Sequence, residues 1–106
     1  MDETRHERIQ EALREAAAEF MAREANRNTL LTVTRVLLSP DARRATIYIS
    51  VLPEEAEASA LGFTKRNIGE FKEFFKTRVR GALPPHIDFE IDYGEKNRRR
   101  IDELSN

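Results

Sequence analysis

The chain has 106 residues, a formal net charge of −1 and no cysteine. One domain with a real core is expected at this length. The missing cysteine excludes disulfides, thiolate catalysis and cysteine zinc sites, and it fits a reducing compartment. The longest apolar runs fall far below the ~18 residues of a membrane span, and the charged start (Asp2, Glu3, Arg5) is unlike a signal peptide. A soluble, cytoplasmic chain without a membrane partner is therefore expected. Charge is unevenly spread: residues 1–57 carry a net −3, residues 58–106 a net +2, and residues 65–81 alone a net +4. Such local fields matter for encounter with nucleic acid more than the total does.

Thr4-Arg5-His6-Glu7 has the form of a capping box. Ile9, Ala12, Leu13, Ala16, Ala17 and Phe20 then draw one apolar stripe, so a helix is expected over about residues 5–25, closing around Asn26 to Asn28. Residues 32–52 read as an antiparallel hairpin with a basic tip, Ser39 to Ala45, where Ser39-Pro40-Asp41 supplies turn chemistry. Its first strand carries a phase slip. Leu31 and Val33 alternate, Arg35 falls where an apolar residue should stand, and Val36 and Leu38 resume one residue late. A β-bulge near Thr34-Arg35 would return the apolar side chains to one face. In the second strand Ile47, Ile49 and Val51 share a face, opposite Thr46, Tyr48 and Ser50.

Pro53-Glu54-Glu55 starts a modest helix with Ala56, Ala60, Leu61 and Phe63 inside. A stronger helix is expected over 70–80, burying Phe71, Phe74, Phe75 and Val79, with Gly81 as its left-handed C-cap and Arg78 snorkelling from the apolar edge. Between them, Asn67-Ile68-Gly69 predicts a kink through left-handed backbone. His86 to Asp92 alternates strictly, a strand with one face on the core. Lys96 to Leu104 forms a short last helix anchored by Ile101 and Leu104. The order is αββααβ, an α+β sandwich with helices on one face of a three-stranded sheet.

Chemistry that could support catalysis is sparse. His86-x-Asp88 is explained as well by a solvated strand face as by a metal pair, and no phosphate loop, nucleophile elbow or HExxH motif occurs. An enzyme, a cofactor, a metal site and a small-molecule substrate are not expected. The basic cluster is more informative. Lys65 and Arg66 precede the kink, while Lys72, Lys76 and Arg80 follow on one helical stripe. If the kink exposes the amides of Asn67 to Gly69, they and the basic side chains make a cradle for phosphates, suited to folded RNA. Arg43 and Arg44 at the hairpin tip form a second tier. A solvated basic face accounts for the same residues without any ligand.

Residues 32–41 (Thr-Val-Thr-Arg-Val-Leu-Leu-Ser-Pro-Asp), 45–51 (Ala-Thr-Ile-Tyr-Ile-Ser-Val) and 85–92 (Pro-His-Ile-Asp-Phe-Glu-Ile-Asp), with Lys72 three positions after Gly69, resemble the ribosome-binding factor A family. The resemblance spans nearly the whole chain. It implies a type II KH-like fold whose Gly-x-x-Gly loop is replaced by an Ala-x-Gly kink, here Asn67-Ile68-Gly69. It implies a monomer that binds 16S rRNA on the small (30S) ribosomal subunit, assists late maturation including processing of the rRNA 5′ end, and is often linked to growth in the cold. Lys72 stands where the family usually has arginine and Ala82 replaces another, so bidentate phosphate geometry is lost at both positions. The competing expectation is a KH-like protein–protein module without RNA affinity.

Overall fold

The computed structural model describes residues 3–24, 29–79, 81, 84 and 86–105. Its elements are α1 (Glu3–Glu24), β1 (Leu30–Leu38), β2 (Arg44–Leu52), a 3₁₀ turn (Glu54–Ala56), α2 (Glu57–Arg66), α3 (Ile68–Arg78), β3 (His86–Ile91) and α4 (Tyr93–Ser105). The order αββααβ with a terminal helix is the one the periodicity predicts. The sheet runs β1-β2-β3, with β1 antiparallel and β3 parallel to the central strand. No helix among the described residues is long and apolar enough to cross a membrane.

The ladder between β1 and β2 pairs Val33 with Ile49 and then Arg35 with Tyr48, skipping Thr34. That is the bulge the phase slip requires. It keeps Leu31, Val33, Val36 and Leu38 opposite Val51, Ile49, Ile47 and Ala45 on the core face, and turns Arg35 away from it. Ile87, Phe89 and Ile91 extend the same face through β3.

Helices α1, α2 and α3 cover that face. Leu13, Ala16, Ala17, Phe20 and Met21 are the buried side of α1. Phe71 is fully buried, and its ring meets Phe20 at 5.7 Å, Phe75 at 6.2 Å and Phe89 at 6.0 Å, so one side chain joins α1, α3 and β3. Offset and edge contacts of this kind add to what area burial alone supplies. The hairpin tip is closed by Ser39 and Asp41: the Ser39 amide donates to the Arg44 carbonyl, the Ser39 hydroxyl to Asp41, and the Arg43 amide to Asp41.

Four local expectations need correction. Helix α1 already includes Glu3, so Thr4 is not its N-cap, and the closing residues Asn26 to Asn28 lie outside the described residues. The break between α2 and α3 uses no left-handed backbone: Asn67 has φ −105°, and its amide and side-chain nitrogen both bond back to α2, at the Phe63 and Thr64 carbonyls. Helix α3 stops at Arg78, with extended Val79 as its cap; Gly81 has φ +122°, which suits glycine, but it sits beyond the cap. Helix α4 starts at Tyr93, and Ile101 does not anchor it, being 61% exposed; the Leu104 side chain lies outside the described residues.

Candidate nucleic-acid interface

Helix α2 ends in Lys65 and Arg66, and α3 begins two residues later at Ile68, so the basic pair and the first amides of α3 flank one sharp break. The Asn67 amide is spent within α2, which leaves the first turn of α3, not Asn67, as the source of outward N–H groups. Gly69 lies in that turn. Among the described residues a Cβ built on Gly69 would meet nothing within 4 Å, so no contact among them demands glycine there.

Strand β3 draws two basic segments to the same end of the sheet. The His86 amide donates to the Arg43 carbonyl at 3.1 Å, and the Lys65 ammonium reaches Asp88 at 2.8 Å. Arg43, Arg44 and Lys65 therefore meet at the first residues of β3, and these three and Arg66 are exposed. The second-tier tip residues join the α2 terminus, which their 21-residue separation in sequence conceals. Lys72 and Lys76 sit on α3. Lys76 pairs with Glu73 at 3.2 Å, and Lys72 is half-buried. Arg80 lies outside the described residues, so the three-membered stripe is not seen whole. Arg78 bridges to Glu19 at 2.6 Å across the Phe74 ring, the snorkelling its position on the apolar edge suggests.

A second cluster is not visible in the sequence pattern. Asp92, 3% exposed, closes β3 by donating its amide to the Ile49 carbonyl and starts α4 by accepting the Glu95 amide at 3.0 Å. Its other oxygen accepts the Thr34 hydroxyl at 2.6 Å and lies 3.4 Å from Arg35 Nε. Burial pushes the Asp92 carboxyl up, but the Thr34 and Glu95 hydrogen bonds and the Arg35 charge outweigh it and hold it below the ordinary value. The Arg35 guanidinium carbon lies over the Tyr48 ring, 4.0 Å from its centre. The run Lys96-Asn97-Arg98-Arg99-Arg100 also goes unmarked in the sequence reading. It is largely neutralised: Lys96 bridges Glu57 at 2.9 Å and Glu54, Arg98 pairs with Glu95, and Arg100 with Glu54. The off-phase Arg35 and the four cations in five residues are the available signals.

The family model for ribosome-binding factor A matches residues 5–105. The chain belongs to that family. A Kosmotoga olearia ribosome-binding factor A is 31% identical over 97 residues, covering 91% of this chain and 78% of the relative. One from Methylobacterium is 31% identical over 105 residues, covering 94% and 76%. The crystal structure of ribosome-binding factor A from Thermus thermophilus aligns with a TM-score of 0.68 at 27% identity, covering 79% of this chain and 92% of that one. The architecture is accordingly the α+β, type II KH-like one of the ribosome-binding factor A family. Among the described residues no group of three or more His, Asp and Glu side chains could hold a metal ion.

Proposed function

We propose that this chain binds the 16S rRNA of the small ribosomal subunit and assists late maturation of that subunit, including processing of the rRNA 5′ end. It acts as a cytoplasmic monomer, with no cofactor and no catalytic residues of its own. The contact surface is the α2–α3 break: Lys65, Arg66 and the first-turn amides around Gly69 hold phosphates, supported by Asn67, by Lys72 and Lys76 on α3, by Arg80 further along the sequence, and by Arg43 and Arg44 at the tip.

The open space at Gly69 carries this reading. Glycine weakens a helix by about 0.5–1 kcal/mol against alanine, and no contact among the described residues asks for it. A bare backbone facing solvent beside two cations suits close approach of a phosphate. The sharpest test pairs stability with sedimentation on purified small subunits. Gly69→Ala should leave the fold as stable or up to about 1 kcal/mol more so, yet pellet less. Lys65→Glu with Arg66→Glu should weaken association at least about tenfold and flatten its dependence on salt, since each phosphate contact contributes to that slope. Full association of both variants would refute the assignment of this surface.

One observation favours a protein–protein module instead. Leu30, Leu37 and Leu52 lie on the sheet face opposite the helices and are 62%, 53% and 43% exposed. Salt-independent association with the subunit, abolished by Leu30→Glu, would decide for it.

A further inference from the structure

Beside the α2–α3 break, a groove of about 390 Å³ runs past the edge of β3, lined by Arg35, Tyr48, Lys65, Glu90 and Tyr93 among others. This volume is in the ~300–1,000 Å³ range of small-ligand sites. Its lining offers a cation, an aromatic surface and an acceptor.

The cation is held from behind. The Arg35 guanidinium sits over the Tyr48 ring and Asp92 takes only Nε, so among the described residues the two terminal nitrogens have no partner. The side chain remains 54% exposed. A guanidinium fixed in this way loses less freedom when it grips an anion than a loose surface arginine would. Lys65 reaches the groove from α2, although it now rests on Asp88. The aromatic surface is Tyr93, 65% exposed at the start of α4, with the Lys96 ammonium 5.9 Å from its ring centre. The acceptor is Glu90, exposed on β3 opposite Tyr48 in the ladder.

We infer that this groove is a subsite for one unpaired RNA nucleotide, with its phosphate on Arg35 and Lys65, its base stacked on Tyr93, and a base N–H or the 2′-hydroxyl donating to Glu90. The inference rests on the RNA reading proposed above and adds a contact on the sheet side that the break and its lysines do not supply. An acidic peptide fits less well, because its carboxylates would meet Glu90. A nucleotide carries its anion at one end and its donors at the other. An exposed ring beside a phosphate grip is the usual means of holding a base that has left its stack.

The test uses the full chain and a short, unstructured RNA oligonucleotide as probe, with an acidic peptide as control. RNA should shift the Arg35 Nε–H and the Glu90 and Tyr93 amide resonances. Tyr93→Ala should weaken the oligonucleotide roughly five- to a hundredfold, the span given by the loss of one stacked base. Arg35→Lys, which keeps the charge but loses the flat fork, should weaken it severalfold while α4 keeps its amide-exchange protection. The inference is overturned if the oligonucleotide does not bind, if its shifts fall only at residues 65–69, if both variants bind it like the parent, or if the peptide binds more tightly. Sedimentation with small subunits separates the two readings. If Tyr93→Ala matches the parent in both assays while Lys65→Glu with Arg66→Glu loses the subunit, the subsite is wrong and the RNA surface stands. If the parent itself binds neither subunit nor oligonucleotide, both fall.

Discussion

The phenylalanine core and the C-terminal helix are attached by different physics. Around Phe71, phenylalanine rings from α1, α3 and β3 interlock through apolar contact. Helix α4, by contrast, is fastened by the buried Asp92 carboxylate and by the bridges of Lys96 and Arg100 to Glu54 and Glu57, while Ile101 faces solvent. Apolar packing is insensitive to pH and barely sensitive to salt. A fastening made of charges responds to both. One chain therefore contains a part that melts with the fold and a part that solution conditions can loosen on their own.

The largest effect should come from Phe71→Ala, which empties the centre of the core. A loss of about 3–5 kcal/mol is expected, read as a fall in the denaturant midpoint for the whole chain. A local effect confined to α3 would show the core to be divisible.

Asp92→Ala should cost about 2 kcal/mol, because it removes a helix cap and strands Thr34 and Arg35 together. Hydrogen exchange should place most of the damage in residues 93–100. The same carboxylate sets a pH response. Its folded value is depressed, so its contribution is complete above the ordinary carboxylate value near ~4 and fades as pH falls through the lower folded value. Amides of α4 should lose protection in that acid window before those of α1 do; simultaneous loss would erase the contrast between the two regions.

Lys96→Met should cost about 1–2 kcal/mol, since the Glu57 carboxylate it neutralises is itself mostly buried, with one oxygen already lacking a hydrogen-bond partner among the described residues. High salt should mimic part of this in the parent chain by exposing α4 amides while leaving the core midpoint in place.

The smallest change in stability, within about 1 kcal/mol, is expected for Asp88→Asn, which breaks an exposed ion pair. Its value lies in binding. Freed from Asp88, Lys65 should raise small-subunit affinity severalfold at low salt; a fall instead would make Asp88 a contact in its own right.

What the sequence makes legible is whatever depends on side-chain period. The bulge follows from one arginine out of phase and β3 from strict alternation; the two-helix break is placed by Asn67, although its backbone is not the left-handed one expected. The same logic fails where charges pair across long separations. Lys65 and Asp88 are 23 positions apart, and Lys96 and Glu57 are 39 apart, so nothing local reveals that a basic run is neutralised rather than solvated. Helix α4 reads as short for that reason: its fastening is electrostatic, and a search for apolar anchors finds only Ile101 and Leu104. The candidate site is half legible. Its basic residues are visible one by one, but the meeting of the hairpin tip with the end of α2 depends on β3 lying parallel beside β2.

The bulge at Thr34 has one further consequence. Because Val33 and Arg35 already take successive rungs of the ladder, the residue between them is surplus to the strand. Deleting it would give β1 an unbroken alternation with every leucine and valine on its present side, while removing the hydroxyl that reaches Asp92. A single-codon deletion would here keep the sheet in register while removing one of the bonds that hold Asp92 at the start of the last helix.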